Sequence, residues 1–274
     1  MPARYTDGMQ LQPHHQQTID RLTDAYKNDP NYPALIIGGS VAKGWARPDS
    51  DVDFLIVTTE AEFKKRRQST TPGDLFINRT DLCDYEHGYV DGKIISASFL
   101  EKLAQRGNEP SRAAFNGAFL AYSHLPELEE LIQQIPIYPE TKRDERMRAF
   151  YCMAFMGRWL MNEATRHQNP YTITRAASQL TLYAGRLILA HNRTLYPFHK
   201  WLMHALEEVQ DKPADLIEHM HALLKDPTPE NADTLFEEVK SHVNLGVPDL
   251  EAYTWFMTDV EWSWMSDSTP IEDW

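Results

Sequence analysis

The sequence predicts an α+β fold in which a small domain with a mixed β-sheet is followed by an α-helical bundle domain. Short apolar, β-branched runs alternate with helical patterns in the first half of the 274-residue chain. A break containing two prolines lies at 136–140. Beyond this break, apolar residues recur at helical spacing over long stretches separated by proline-containing breakers. We therefore predict two domains, 1–138 and 139–274.

The first domain is predicted to open with a helix at 14–26, where apolar residues recur on one helix face. The apolar run at 34–37 ends at two glycines and predicts a buried strand. Ser40 is then expected to be the N-cap of a short helix at 41–45. After a turn containing proline, the run at 51–57 predicts a second strand because its end is strongly β-forming.

Three further elements complete the prediction for the first domain. The charged stretch at 60–68 is predicted to be helical. The segment 89–95 predicts a third strand, which leads into a helix at 99–106.

The second domain is predicted to contain five helices that pack as an antiparallel bundle. Asn-Pro, Asp-Lys-Pro and Asp-Pro-Thr-Pro sequences separate most of them, because proline interrupts a helical pattern. The predicted helices lie at 146–166, 172–191, 197–209, 215–225 and 232–244.

Composition excludes several classes of function. The formal net charge is −13, and so acidic a protein repels polyanions at long range. The one basic cluster, at 64–67, fits an exposed helix face better than a nucleic-acid site. No apolar run approaches the roughly 20 residues of a membrane helix, the N-terminus lacks the apolar core of a signal peptide, and the two cysteines lack ligand spacing. We expect a cytoplasmic protein without a nucleic-acid or membrane partner; a homodimer is compatible with the sequence.

The candidate chemistry lies in Gly38-Gly39-Ser40, which ten intervening residues separate from Asp51-Val52-Asp53. Glycines between a strand and a helix let a phosphate approach backbone N–H groups, and the serine hydroxyl adds a hydrogen bond. Two aspartates separated by one strand residue project from the same face. Crowded carboxylates of this kind suit Mg²⁺, which also binds substrate phosphates. The Gly-Gly-Ser turn alone and the pair of aspartates alone are common surface features, but together they predict metal-assisted nucleotidyl transfer.

This pattern resembles the signature of the DNA polymerase β-like nucleotidyltransferase superfamily. The resemblance implies a small mixed sheet, a nucleoside triphosphate, two divalent ions and a third carboxylate from a later strand. Asp91 fits that third position, although Gly92 departs from the usual apolar residue after the acid. Asp91 could instead belong to an Asp-Gly hairpin turn, in which case Asp84 and Glu86 are the competing acids.

The helical half is similar to that of the aminoglycoside and lincosamide nucleotidyltransferases, which modify antibiotics. This weaker resemblance implies a helical substrate-binding domain and a small-molecule acceptor. It suggests Lys200, or alternatively Arg175, as a contact for the outer phosphates, and Glu163 as a general base on the acceptor hydroxyl. For all three, an ordinary exposed side chain on the helical domain is the competing interpretation.

Taken together, the residues and the resemblance predict an enzyme that transfers a nucleoside monophosphate, most simply from ATP, to a hydroxyl of a small molecule. Asp51, Asp53 and Asp91 would bind two Mg²⁺ ions, while Gly38, Gly39 and Ser40 would hold the phosphates. Pyrophosphate would be released. The alternatives are nucleotidylation of a protein and a non-catalytic nucleotide-binding module.

Overall fold

A computed structural model describes residues 11–266 and 269–271, and the chain divides into two compact units, Met1–Ile137 and Tyr138–Trp274. The first unit contains a five-stranded mixed sheet with helices. The described part of the second unit is built from helices. The predicted α+β fold is therefore confirmed.

The sheet of the first unit has the strand order β3-β4-β2-β1-β5. The strands are β1 (Ala34–Ile37), β2 (Val52–Thr58), β3 (Phe76–Arg79), β4 (Val90–Ser96) and β5 (Phe119–Ser123). Strand β1 runs antiparallel to β2 and β5, and β3 runs antiparallel to β4. The central pair β2 and β4 is parallel, so the sheet is mixed and places the starts of these two strands at the same edge.

Helices cover both faces of this sheet. They are α1 (Pro13–Tyr26), α2 (Gly39–Lys43), α3 (Glu60–Gln68), α4 (Ala97–Arg106), α5 (Glu109–Ala113) and α6 (Leu128–Gln134). Successive strand residues point to opposite faces, so Leu35 and Ile37 pack with α1 residues in one apolar cluster. Ile36 lies in a second cluster with residues of α4 and α6. The fully buried strand β1 thus joins two apolar cores.

The sequence predicted β1 and α3 with their observed bounds, but the start of α2 was predicted wrongly. Ser40 is not an N-cap, because the helix already begins at Gly39 with Gly38 as its N-cap. Gly39 has φ +64°, a left-handed conformation that glycine adopts readily and other residues adopt at a cost. The glycine pair therefore turns the chain directly into the helix.

Strand β3, helices α5 and α6 and strand β5 were not predicted. Strand β3 lies at the sheet edge and none of its residues is buried, so it lacks the apolar run that predicted β1. Within α5, the buried Arg112 donates to the carbonyl oxygens of Gly107 and Ile135, both at 3.0 Å, and of Ala104 at 2.5 Å. This one guanidinium joins the ends of α4 and α6.

The described residues of the second unit contain the five predicted helices, with shifted bounds, and one more α-helix. They are α7 (Arg143–Arg166), α8 (Pro170–His191), α9 (Leu202–Glu208), α10 (Leu216–Lys225), α11 (Pro229–Val243) and α12 (Asp249–Phe256). Helix α9 is shorter than predicted: Phe198 has φ +82°, and a 3₁₀ turn at His199–Trp201 precedes the helix. Among the described residues, no helix has the length and apolar character needed to cross a membrane.

Helix α12 leads into the tryptophan-rich C-terminal segment, 255–274, and packs against α7. The Tyr253 ring lies 5.2 Å from the ring of Phe155 and 6.1 Å from that of Trp159, edge to face in both cases. Residues 267, 268 and 272–274 of this segment lie outside the described residues.

Candidate functional site

Three aspartates come together where β2 and β4 begin. Asp53 lies on β2 directly opposite Asp91 on the parallel strand β4. Asp51 precedes β2, which begins at Val52 rather than at the predicted residue 51. One carboxylate oxygen from each aspartate lies within 4.8 Å of the others, and all three residues are partly buried. Parallel pairing therefore builds a compact group of three carboxylates at one edge of the sheet.

Asp91 is a strand residue, so the hairpin-turn alternative is wrong. It is paired with Asp53 on one side and with Asn78 of β3 on the other. The competing acids lie elsewhere: Asp84 forms an ion pair with Arg21 at 3.0 Å, and Glu86 is almost fully exposed.

The unusual glycine after Asp91 has a steric explanation. Gly92 lies opposite Phe54 on β2, and a Cβ atom at Gly92 would lie 2.0 Å from the Phe54 ring. Phe54 is buried in the apolar cluster beneath α1. Gly92 thus leaves room for the ring while keeping Asp91 in register with Asp53.

The Gly38-Gly39 turn is in direct contact with Asp53. The Gly38 N–H donates to the carbonyl oxygen of Asp53 at 3.0 Å. A Cβ atom at Gly39 would lie only 1.8 Å from the Asp53 carboxylate oxygen Oδ2. Ser40 follows and is buried. The turn predicted to hold phosphates and the predicted metal-binding strand therefore form one packed arrangement.

Side chains that the sequence analysis missed hold the loop before Asp51. His14 contacts the Pro48 carbonyl oxygen through Nε2 at 2.9 Å, and His15 contacts the Ser50 carbonyl oxygen at 3.1 Å. The Tyr85 hydroxyl donates to the same Ser50 oxygen at 2.8 Å. Burial, followed by repulsion from His14, lowers the pKa of His15. No sequence spacing links these residues to Asp51, so only the fold reveals their contacts.

Two further groups interact with the carboxylates and were also missed. Burial lowers the pKa of the Lys43 ammonium at the end of α2, and the charge of Asp53 partly counteracts this effect. The negative charge of Asp51 is the largest cause of the raised pKa of the Tyr89 phenol, with smaller effects from Asp91 and Asp53. A cationic group and a phenol thus accompany the three aspartates.

The donor set fits a hard divalent cation. The Asp91 Oδ1 atom is buried without a hydrogen-bond partner, and the nearest ion-pair partner, the Lys93 Nζ atom, is 3.7 Å away. Leaving a buried carboxylate oxygen unpaired is costly, and carboxylates this close repel one another. Carboxylate oxygens are the ligands that Mg²⁺ and Ca²⁺ prefer, so an ion here would relieve both costs.

The helical unit carries Glu163, Lys200 and Arg175, the residues predicted to act on the acceptor or on the phosphates. Glu163 on α7 forms ion pairs with Arg166 and, at 3.8 Å, with His167. Lys200 lies exposed in the 3₁₀ turn, with Nζ 5.2 Å from the Trp201 ring centre, and not at the start of a regular helix as expected. Arg175 is exposed on α8. The roles suggested for these residues stay predictions.

The segment that contains this site matches a known protein family. Residues 25–109 match the model of the nucleotidyltransferase domain family, and this segment contains the glycine turn and all three aspartates. No curated protein matches the chain significantly. One similar solved structure is a nucleotidyltransferase-like protein from Exiguobacterium sibiricum 255-15, with 13% sequence identity and a TM-score of 0.43; the match covers 90% of this chain and 79% of that chain. The family match confirms the predicted resemblance and the enzyme class.

Proposed function

We propose that this nucleotidyltransferase transfers a nucleoside monophosphate from a nucleoside triphosphate, ATP in the first instance, to a hydroxyl of a small molecule. The observation that carries the proposal is the group Asp51, Asp53 and Asp91, with the unpartnered oxygen of Asp91, set against the Gly38-Gly39 turn. The group lies within the segment that matches the nucleotidyltransferase family.

Each part of the site has an assigned role. Asp51, Asp53 and Asp91 would hold two Mg²⁺ ions, which would neutralise phosphate charge and lower the pKa of the attacking hydroxyl. Backbone groups at 38–40 would contact the outer phosphates. Lys43 adds a cationic group on α2 that can balance triphosphate charge.

Two residues of the helical unit are assigned roles that rest on the resemblance to antibiotic nucleotidyltransferases. Lys200 is retained as a second contact for the outer phosphates because its side chain is exposed. Glu163 is retained as a general base on the acceptor, although its ion pair with Arg166 would have to open first.

The charge of the protein supports a small acceptor. A net charge of −13 opposes binding to a polyanion, and two of the four basic residues of the cluster on α3 are engaged by neighbouring groups. Arg66 donates to Glu62 at 2.8 Å and to the Asp74 carbonyl oxygen at 3.0 Å, and Lys65 lies 3.7 Å from Glu62. An acceptor that is neutral or cationic, as aminoglycosides and lincosamides are, meets no such opposition.

The test is a screen for pyrophosphate release with Mg²⁺, a panel of nucleoside triphosphates and a panel of hydroxylated small molecules that includes aminoglycosides and lincosamides. We expect release that depends on one acceptor class, with the nucleotide label found on that acceptor. Label found on protein would instead support protein nucleotidylation. Nucleotide binding without release under any condition would support a non-catalytic module.

The matched pair Asp91→Asn and Asp84→Asn tests the site itself. Asp91→Asn should retain nucleotide binding but lose transfer, because the third carboxylate no longer positions the attacking hydroxyl. Asp84→Asn should retain activity because Asp84 is engaged by Arg21 on the surface. Equal activity of the two variants would contradict the assignment of Asp91.

A further inference from the structure

The helical unit contains a second cluster of ligand-type side chains, formed by His191, Asp211 and His242. The Asp211 carboxylate binds one imidazole through each oxygen: Oδ2 lies 2.8 Å from His191 Nε2, and Oδ1 lies 2.9 Å from His242 Nε2. One candidate ligand atom from each residue lies within 4.8 Å of the others. Three separate elements meet here, since His191 ends α8, His242 lies on α11 and Asp211 lies in the loop after α9.

Neighbouring groups hold this cluster in place. The Asn192 side chain binds the backbone of Asp211 in both directions, donating to its carbonyl oxygen at 2.7 Å and accepting from its N–H at 3.2 Å. Arg143 donates to the carbonyl oxygens of Ala190 and His191, both at 3.0 Å. These contacts fix the backbone of Asp211 and the end of α8, which carry two of the three side chains of the cluster.

The geometry is close to that of a bound transition metal. Around a tetrahedral ion with ligand bonds of roughly 2.0–2.1 Å, neighbouring ligand atoms are roughly 3.3 Å apart. The two contacts of Asp211 would each have to lengthen by about half an ångström, which side-chain rotation can supply. His191 and His242 are each about three-quarters buried, whereas Asp211 is 65% exposed, so an ion can enter from solvent.

We propose that His191, Asp211 and His242 bind one divalent transition-metal ion, with Zn²⁺ as the expected ion. Two imidazoles and one carboxylate suit Zn²⁺ better than Mg²⁺, which prefers an all-oxygen shell such as the aspartate cluster offers. Three protein ligands leave a fourth position for water. The ion would join α8, the loop at 209–215 and α11, and would therefore stabilise the helical unit.

Co²⁺ binding to the full-length protein tests this site, because Co²⁺ replaces Zn²⁺ and gives visible absorption bands that report nitrogen ligands and coordination number. Excess Mg²⁺ is present to occupy the aspartate cluster. We expect one equivalent of Co²⁺ with such bands, displaced by Zn²⁺. Asp211→Asn and His242→Gln should each weaken binding by at least ~10-fold.

The matched control is His219→Gln. His219 also contacts a carboxylate, with Nδ1 2.7 Å from Glu238 Oε2, and lies in the same unit. This variant should bind Co²⁺ as the wild type does. Zn²⁺ should raise the melting temperature of the wild type and of His219→Gln, but not that of Asp211→Asn.

No Co²⁺ bands in the wild type, or bands unchanged in Asp211→Asn and His242→Gln, would overturn the proposal. Circular dichroism shows whether each variant is folded. If His242→Gln does not fold, Asp211→Asn decides the result, because its exposed side chain changes by a single isosteric group.

Discussion

Replacing Gly39 by alanine should inactivate the enzyme through a single contact. The new Cβ atom would lie 1.8 Å from the Oδ2, 2.5 Å from the Cγ and 2.6 Å from the Cβ atom of Asp53. Rotating the carboxylate cannot relieve the last of these distances, because the backbone of β2 sets the position of the Asp53 Cβ atom. Ordinary contact begins at 3.4 Å, so the two Cβ atoms must separate by 3.4 − 2.6 = 0.8 Å.

This displacement and the backbone conformation have separable costs. Alanine at φ +64° costs roughly 1–2 kcal/mol in the free energy of unfolding, which lowers the melting temperature by roughly 3–7 °C for a unit of this size. A displacement near 1 Å in a catalytic group reduces the rate by ~100-fold. We therefore expect Gly39→Ala to lose at least ~100-fold in pyrophosphate release, together with weaker Mg²⁺ binding.

Gly44→Ala is the matched control. Gly44 ends the same helix at φ +74°, and nothing lies within 4 Å of its added Cβ atom. It should lower the melting temperature by a similar roughly 3–7 °C but retain activity. If Gly39→Ala is as active as Gly44→Ala, the contact with Asp53 does not control the site and this reasoning is wrong.

Three further predictions concern stability. Gly92→Ala should lower the free energy of unfolding by ~1–3 kcal/mol in a denaturant titration, because the new methyl group meets the Phe54 ring; an unchanged midpoint would contradict this. Arg112→Met should cost ~3 kcal/mol or more because it leaves buried carbonyl oxygens unpaired, and a loss below ~1 kcal/mol would show that water replaces the guanidinium. Partial burial raises the pKa of the Glu60 carboxyl, but hydrogen bonds from the Ser98 N–H at 2.9 Å and hydroxyl at 2.7 Å outweigh this effect and leave the pKa below its ordinary 4.5. A lowered carboxyl pKa stabilises the fold above pH 4.5, and this stabilisation is lost as the pH falls through the lowered value. The melting temperatures of wild type and Glu60→Gln should therefore differ at neutral pH and converge as the pH falls below the lowered pKa, whereas a constant difference would exclude a role for the charge.

The sequence predicted those parts of the fold and site that local patterns determine. Strand β1 is a run of four buried apolar residues bounded by Gly38, and the acids of the motif lie close together along the chain. Asp91 was identified by the resemblance to the family, although Gly92 after it departs from the usual pattern. The structure shows that Gly92 leaves room for the Phe54 ring, so that Asp91 keeps its register opposite Asp53.

Other features could not be predicted because they depend on contacts between distant residues. His15 contacts the Ser50 carbonyl oxygen across 35 positions, and His191 contacts Asp211 across 20. The spacing of residues along the sequence does not predict contacts between residues this far apart. Strand β3 was missed for a different reason: an edge strand is half solvated, so its sequence needs no apolar run.

The parallel pairing of β2 with β4 also has a consequence for the order of folding. Strands β1 and β2 can pair early because a short connection of 14 residues, 38–51, joins them. Asp53 and Asp91 meet only after the chain between β2 and β4, residues 59–89, has closed into a loop that contains α3 and β3. Closing this longer loop costs more chain entropy than closing the connection between β1 and β2. A cation that needs all three carboxylates therefore binds only once the sheet is assembled, and its binding energy adds to the stability of the finished domain and not to that of earlier intermediates.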